Sequence, residues 1–241
     1  MLILSLDTSS PSGSVAILRD DSTLGVISTR AEENYSSRIF RHLEFLLTDL
    51  TLKLHDFDVF AVSAGPGSFT GLRVGLTAAK GWAEVYRKPV VGVSSLAAVA
   101  FQARGGSTVL VPALDARRGQ IYFGVYRTGA AGPTLDGEEF VVMPEEFAGK
   151  LGTLAHSGGD GGNGAAFTIV TADASVVETV SRLTPQFSSR FAGLDIVSGV
   201  LAPSIGRIAH ARALRGDVSD ALTLDANYVR RTDAEMKWKD G

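Results

Sequence analysis

Hydrophobic and polar positions change period several times along the chain, and each change marks an element. Residues 2–7 (Leu-Ile-Leu-Ser-Leu-Asp) have the alternating, branched character of a buried strand. Thr8 to Gly13 supply turn chemistry, and Val15 to Leu18 resume as the second strand of a hairpin with a hydroxyl-rich tip. Leu24 to Ile27 predict a third strand. From about Ser36 the spacing becomes helical, because Ile39, Leu43, Leu46, Leu47 and Leu50 fall at i, i+4, i+7, i+8 and i+11. A strand over Phe57–Ala64, a helix over Gly71–Arg87, a short strand over Pro89–Val93 and an apolar helix from about Ser95 to Phe101 complete a βββαβαβα order.

The second half restarts in the same way. Val109 to Leu114 and Ile121 to Tyr126 read as a hairpin around the turn Ala116-Arg117-Arg118-Gly119, and Leu114-Asp115 matches Leu6-Asp7 of the first hairpin. Further expected elements are a strand over Glu139–Met143, a helix over Pro144–Leu151, a strand over Phe167–Thr171 and a helix over Ala174–Leu183. This is a shortened copy of the first half. A last amphipathic helix runs over Pro203–Arg215, with Ile205, Ile208, Ala209 and Arg212 at helical spacing and Pro203 in its first turn. The expected division is a first lobe over residues 1–104, joined by the helix at 203–216, a smaller second lobe over 105–200, and a polar, irregular tail over 217–241. Ser157 to Gly164 hold five Gly in eight residues, which predicts a surface loop.

Composition narrows the chemistry. With 241 residues, 45% of them hydrophobic and 20% charged, the chain can bury a sizeable core. Its net charge of −3 lacks the basic footprint of a protein that grips nucleic acid unaided. No apolar run is long enough for a membrane helix, and the N-terminus has no basic region ahead of an apolar one, so a cytoplasmic protein without membrane contact is expected. There is no Cys, hence no disulfide, thiolate metal site or Cys nucleophile. The four histidines, His42, His55, His156 and His210, include no pair three to five residues apart, so no paired metal-ligand spacing is present.

The strongest local signal is Ser63-Ala64-Gly65-Pro66-Gly67-Ser68-Phe69-Thr70-Gly71 between a strand and a helix, where backbone amides and the helix dipole favour an anion. Its glycine spacing fits neither the dinucleotide fingerprint nor the phosphate loop, and no esterase elbow is present. Two readings stay open: a tight junction that lets strand and helix pack closely, or contact with a phosphate or acyl-phosphate. On the following helix Arg73, Thr77, Lys80, Glu84 and Arg87 form one narrow polar stripe. Leu72, Leu76, Ala79, Ala83 and Tyr86 lie on one side of it, and the small-residue stripe Gly71, Gly75, Ala78 and Trp82 on the other. A helix covering a sheet buries one face, so the surplus stripe invites a second helix. On the preceding helix Phe45 projects away from the Ile39, Leu43 and Leu50 face. Ile39, Leu43, Phe45, Leu46, Gly71, Gly75, Ala78 and Trp82 are therefore the expected partner interface, with packing of the two helices on each other as the plainer alternative.

Four segments together carry a resemblance: Leu-Asp-Thr-Ser at 6–9, Ala-Gly-Pro-Gly-Ser-Phe-Thr-Gly-Leu-Arg-Val-Gly at 64–75, Val-Val-Gly-Val-Ser-Ser-Leu at 90–96 and Leu-Asp-Ala-Arg-Arg-Gly-Gln-Ile-Tyr at 114–122. To about residue 130 the chain resembles the bacterial TsaB family of tRNA threonylcarbamoyladenosine biosynthesis proteins, and Asn-Tyr-Val-Arg at 227–230 looks like a variant of that family's closing Tyr-Leu-Arg. The resemblance implies an α/β fold of two ribonuclease-H-like lobes of the actin, Hsp70 and sugar-kinase type (ASKHA), each a mixed five-stranded sheet flanked by helices, with the second lobe reduced. The family's catalytic relative, TsaD, holds a metal through two histidines four apart. The matching places here are Ser95 and Val99, and neither can serve, since Val has no donor and a lone neutral hydroxyl is a poor ligand.

The implied role is non-catalytic, with no required cofactor and no metal. TsaB-like proteins pair with TsaD and, with the ATPase TsaE, support threonylcarbamoylation of adenosine 37 in tRNAs that read codons beginning with A. In the family the TsaD contact is made by helices that here begin near Ser36 and Gly71, and a homodimer is expected of the isolated chain. The alternative is an actin-like ATPase or kinase acting alone. In that reading ATP or ADP with Mg would meet Asp7, Thr8, Ser9, Gly65, Gly67, Ser68, Thr70 and Asp115, with one acid from each lobe organising the ion. A peptidase, a label attached to this superfamily, finds neither a metal pair nor a nucleophile motif. tRNA is expected to be met through the complex. The basic residues Arg207, Arg212, Arg215, Arg230, Arg231, Lys237 and Lys239, with Trp238, offer it a direct contact or, more plainly, a solvated face and tail.

Overall fold

The computed structural model describes residues 1–10, 12–30, 35–129, 132–154, 166–187 and 190–229. The glycine-rich stretch at 157–164 and the basic end from Arg230 lie outside them. The first half forms β1 (Leu2–Asp7), β2 (Ser14–Arg19), β3 (Ser22–Ser28), α1 (Tyr35–Asp49), β4 (Val59–Gly65), α2 (Phe69–Tyr86), β5 (Val90–Ser94) and α3 (Ser95–Ala100). The second half forms β6 (Val109–Asp115), β7 (Ile121–Arg127), β8 (Thr134–Val142), α4 (Pro144–Leu154), β9 (Phe167–Thr171), α5 (Ala174–Leu183) and β10 (Phe191–Ile196), and α6 (Ala202–Ala213) follows.

The strands make two five-stranded sheets, β3-β2-β1-β4-β5 and β10-β9-β6-β7-β8. Read from its other edge the second repeats the order of the first. In each sheet a hairpin of antiparallel strands is extended by parallel ones, since β1 pairs β4 and β6 pairs β9 in parallel. The second sheet is thus complete. Its fifth strand, β10, is absent from the sequence pattern, and among the described residues α4 and α5 are shorter than α1 and α2.

Alternation along the strands builds a layered molecule. On β1, Leu2, Leu4 and Leu6 face outward into a core with α1 and α2, whereas Ile3 faces inward. On β6, Val109, Val111 and Ala113 face α4 and α5. Between the sheets α3 and α6 pack with inward residues of both, including Ala16, Leu18, Val91, Leu110, Tyr122 and Val170, into one continuous core. α6 is seated against β1 and β2: the Ser5 hydroxyl donates to the Ala202 carbonyl at 2.7 Å, and the Ala202 amide donates to Ser14 Oγ at 3.1 Å. A Cβ on Gly206 would lie 2.3 Å from Leu18 Cδ1, so only glycine permits this approach.

Residues 217–229 do not trail away as the polar tail predicts. Ser219 and Val90 exchange both backbone hydrogen bonds at 2.9 Å, and Leu224 is buried against Gly92. What the sequence presents as irregular is a segment lying along the open edge of the first sheet.

Candidate functional site

The tip of the first hairpin and the start of α2 meet at the end of β1. Asp7 is fully buried. Its Oδ1 accepts the Ser9 amide at 2.8 Å and the Ser9 hydroxyl at 2.6 Å, and its Oδ2 accepts the Ser10 hydroxyl at 3.1 Å. Burial pushes the Asp7 carboxyl above the usual carboxylate range, and the serine hydrogen bonds pull part of the way back. The hydroxyl chain continues: Ser95 Oγ donates to Ser9 Oγ at 3.2 Å and lies 2.7 Å from Ser63 Oγ. Ser63, Ser95 and Val99 are all 0% exposed, so Ser95 and Val99 are closed off from solvent, one among hydroxyls and one by an aliphatic side chain. Val99 has no donor atom, and the Ser95 hydroxyl is engaged with Ser9 and Ser63, so these two places offer no imidazole or thiolate to a metal ion.

The glycines of the turn are taken up by the chain itself. A Cβ on Gly67 would sit 2.6 Å from the Ser9 carbonyl oxygen, one on Gly71 would sit 1.9 Å from the Thr8 carbonyl oxygen, and one on Gly75 would sit 2.4 Å from Thr8 Oγ1. Gly65 has φ +110° and faces the Asn227 carbonyl and Leu72. The Ser68 amide donates to the Ser9 carbonyl at 2.8 Å, the Ser68 side chain caps α2 by accepting from the Gly71 amide, and the Thr8 hydroxyl donates to the Gly71 carbonyl at 2.7 Å. Asp7, Thr8, Ser9, Gly67 and Ser68 are therefore brought together in one junction, with Ser68 and Thr70 exposed at its rim, whereas Gly65 faces the C-terminal segment. The cavity lined by Asp7, Thr8, Arg38 and His42 measures about 10 Å³, against the roughly 300 Å³ or more of a small-molecule site. Burial and the neighbouring Arg38 and Arg41 charges hold the His42 imidazole below its ordinary value.

Asp115 stands apart from that junction. The alternation that turns Asp7 inward with Ile3 and Ser5 turns Asp115 outward with Val109, Val111 and Ala113. Its Oδ1 accepts the Arg117 amide at 2.7 Å, and its own amide donates to Asp173 Oδ2 at 2.8 Å. Asp173, at the start of α5, is pushed up first by burial and then by the Asp115 charge. The matched dipeptides Leu6-Asp7 and Leu114-Asp115 do not bring an acid from each lobe to one ion.

The small-residue stripe of α2 also finds its occupant within the chain. Gly71 and Gly75 are filled by the Thr8 turn rather than by a second helix, because the hairpin backbone comes within hydrogen-bond distance. Ile39, Leu43 and Leu46 are buried against the first sheet, whereas Ala78 and Trp82 are half-buried. Exposed on α1 are Phe45, at 62%, and Phe40, whose ring stands edge-on to Trp82 at 6.2 Å. Beside them Phe40, Leu43, Glu44, Leu47, Thr48 and Leu52 line an open groove of about 330 Å³.

A second polar cluster has no local signal in the sequence. Glu139 Oε1 accepts from the Ser94 hydroxyl at 2.5 Å and from the Tyr126 hydroxyl at 2.6 Å, while Oε2 accepts from Asn227 Nδ2 at 2.5 Å. Burial and then the Glu139 charge push the Tyr126 hydroxyl well above its ordinary value. Ser94 also caps α3, accepting from the Leu96 and Ala97 amides. These four residues come from both sheets and from the C-terminal segment.

Known proteins share this architecture. Over 127 residues the chain is 38% identical to the tRNA threonylcarbamoyladenosine biosynthesis protein TsaB of Bacillus subtilis, covering 53% of this chain and 56% of that protein. Over 149 residues it is 36% identical to the TsaB of Escherichia coli, covering 60% and 64%. The matched stretch thus spans less than two thirds of either relative. YeaZ of Pseudomonas aeruginosa superposes with a TM-score of 0.74 at 25% identity over 94% of this chain and 99% of that one. A Pseudomonas aeruginosa protein described as similar to the peptidase YeaZ gives 0.76 at 26%, over 95% and 99%. The ethanolamine utilization protein EutJ of Carboxydothermus hydrogenoformans, at 9% identity and a TM-score of 0.53, shares the two-lobed α/β fold alone. The family model for TsaD, tRNA N6-adenosine threonylcarbamoyltransferase, matches residues 15–195. This chain belongs to that family, and within it is of the TsaB type.

Proposed function

We propose that this chain serves tRNA threonylcarbamoyladenosine biosynthesis as a non-catalytic subunit, pairing with a TsaD-like catalytic partner. The modification is N6-threonylcarbamoylation of adenosine 37 in tRNAs that read codons beginning with A, with a TsaE-like ATPase joining the pair and the tRNA held by the assembly. The observation that carries this reading is the sealed junction at Asp7, Ser9, Ser63 and Ser95. At that junction the Asp7 carboxyl and the Ser9, Ser63 and Ser95 hydroxyls are bonded to one another, and the cavity between Asp7 and α1 holds only about 10 Å³. The exposed Phe40 and Phe45 and the groove beside them give α1 an apolar surface for a partner helix.

Reconstitution tests the proposal. A TsaD-like subunit, a TsaE-like ATPase and threonylcarbamoyl-adenylate are combined with unmodified tRNA, with and without this chain, and the modified adenosine is measured by mass spectrometry. Modification is expected to fall at least tenfold when the chain is left out. Modification at full rate without it would refute the partner role. Micromolar binding and turnover of ATP with Mg by the chain alone would favour the independent ATPase or kinase instead.

A further inference from the structure

The segment over residues 217–229 touches three separate parts of the molecule. At its start Arg212 of α6 donates to Asp217 and to the Gly92 carbonyl, and Ser219 pairs with Val90 on the edge strand β5. In its middle the Leu224 side chain takes the space that Gly92 leaves, and the Leu224 carbonyl accepts from Lys80 Nζ of α2 at 2.9 Å. At its end the Asn227 amide donates to the Ala64 carbonyl at 2.7 Å, the Asn227 carbonyl lies against Gly65, and Tyr228 packs on Phe69 with ring centroids 5.2 Å apart. All of these contacts are to α6 or the first lobe. The Asn227 side chain reaches across to the second sheet, through Glu139 on β8.

We propose that residues 217–229 form a strap whose fastening is the Asn227–Glu139 hydrogen bond, and that the fastened strap holds the starting corner of α2 in register with the second lobe. The chemistry of the fastening favours this. Glu139 is an acceptor only, its Oε1 is occupied by Ser94 and Tyr126, and its Oε2 is the oxygen left for a donor. An amide donating to a carboxylate is a charge-assisted bond, stronger than a neutral one. The rest of the strap is held to α6 and the first lobe by the Arg212–Asp217 pair, the Ser219–Val90 bonds, the buried Leu224 and the Phe69–Tyr228 ring contact. Through Asn227 the second lobe therefore reaches the Gly65 turn, the Phe69–Tyr228 pair and, along the strap, Lys80.

Hydrogen exchange of the full chain, read by mass spectrometry, tests this with a charge reversal and its rescue. Asn227→Asp sets two carboxylates against each other. It is expected to raise exchange at least tenfold in peptides covering 217–229 and 64–72, with β1 and β9 unchanged. Adding Glu139→Gln supplies an amide donor to the introduced carboxylate and is expected to return both segments to within twofold of the native rate. The proposal is overturned if Asn227→Asp leaves either segment at its native rate, or if the double variant exchanges like the single one. Should Asn227→Asp loosen β1 and β9 as well, recovery in the double variant decides in the same way.

Discussion

Asp7 shows how far a single residue's surroundings decide its role. Its position after a strand and before Thr8-Ser9 marks it in the sequence as a candidate for phosphate or metal work, and its neighbours make it a buried structural acid instead. A carboxyl whose folded pKa lies above its unfolded value binds more protons when folded. Stability is therefore lost as pH rises from about 4 through the folded pKa, and the loss persists at neutral pH. Asp7→Asn removes the charge and keeps an oxygen for Ser9. It is expected to be at least as stable as the native chain at pH 7, with the difference closing toward pH 4. Urea denaturation of both proteins across that range measures it, and a variant clearly weaker at pH 7 would mean that the serine hydrogen bonds outweigh burial. The residue is legible in the sequence and its surroundings are not, because Ser95, which closes the hydroxyl chain, lies 86 positions from its partner Ser9. Glu139 and Asn227 were missed for the same reason: an 88-residue separation leaves no local pattern.

At the scale of elements, period and turn chemistry located most strands and helices, and the exceptions have a common cause. β10 was invisible because a register shift between Phe191 and Gly193 breaks the period of two, so Phe191, Leu194 and Ile196 do not alternate. β8 begins five residues earlier than its pattern suggests because Thr134 to Glu138 are exposed and carry no apolar alternation. On α2 the pattern was visible but its occupant was not, since small residues record that something approaches closely without saying what. Two glycines of that helix make the point testable. Gly71→Ala drives a methyl into the Thr8 carbonyl and is expected to cost about 2–3 kcal/mol, the range of an overpacked core. Gly81→Ala meets nothing within 4 Å on an exposed helical site and is expected to add about 0.5–1 kcal/mol. Thermal denaturation of the two variants reads both. Equal effects would deny that the hairpin tip is what α2 is shaped around.

Across the whole molecule, two sheets of matching strand order enclose one core, and their outer faces are covered unequally in character. The second sheet's outer core is closed over by Phe147, Leu151, Val176, Val180 and Leu183, all buried. The first sheet's helices bury Ile39, Leu43 and Leu46 inward yet keep Phe45, Phe40 and Val85 in solvent, at 62%, 51% and 72% exposure. Such a surface costs the lone chain solubility, and the proposed function assigns it to association with a partner. Phe45→Glu separates the two. The side chain makes little of the core, so the variant is expected to unfold within about 0.5 kcal/mol of the native chain. A buried charge opposite an apolar partner surface is costly, so the same variant is expected to lose at least tenfold in affinity for a TsaD-like subunit, and any self-association seen by light scattering should fall with it. Phe45→Leu keeps the surface apolar and is expected to retain most of that affinity. If Phe45→Glu binds the partner like the native chain, the exposed face of α1 is not where the partner sits, and the surplus apolar surface must be assigned elsewhere.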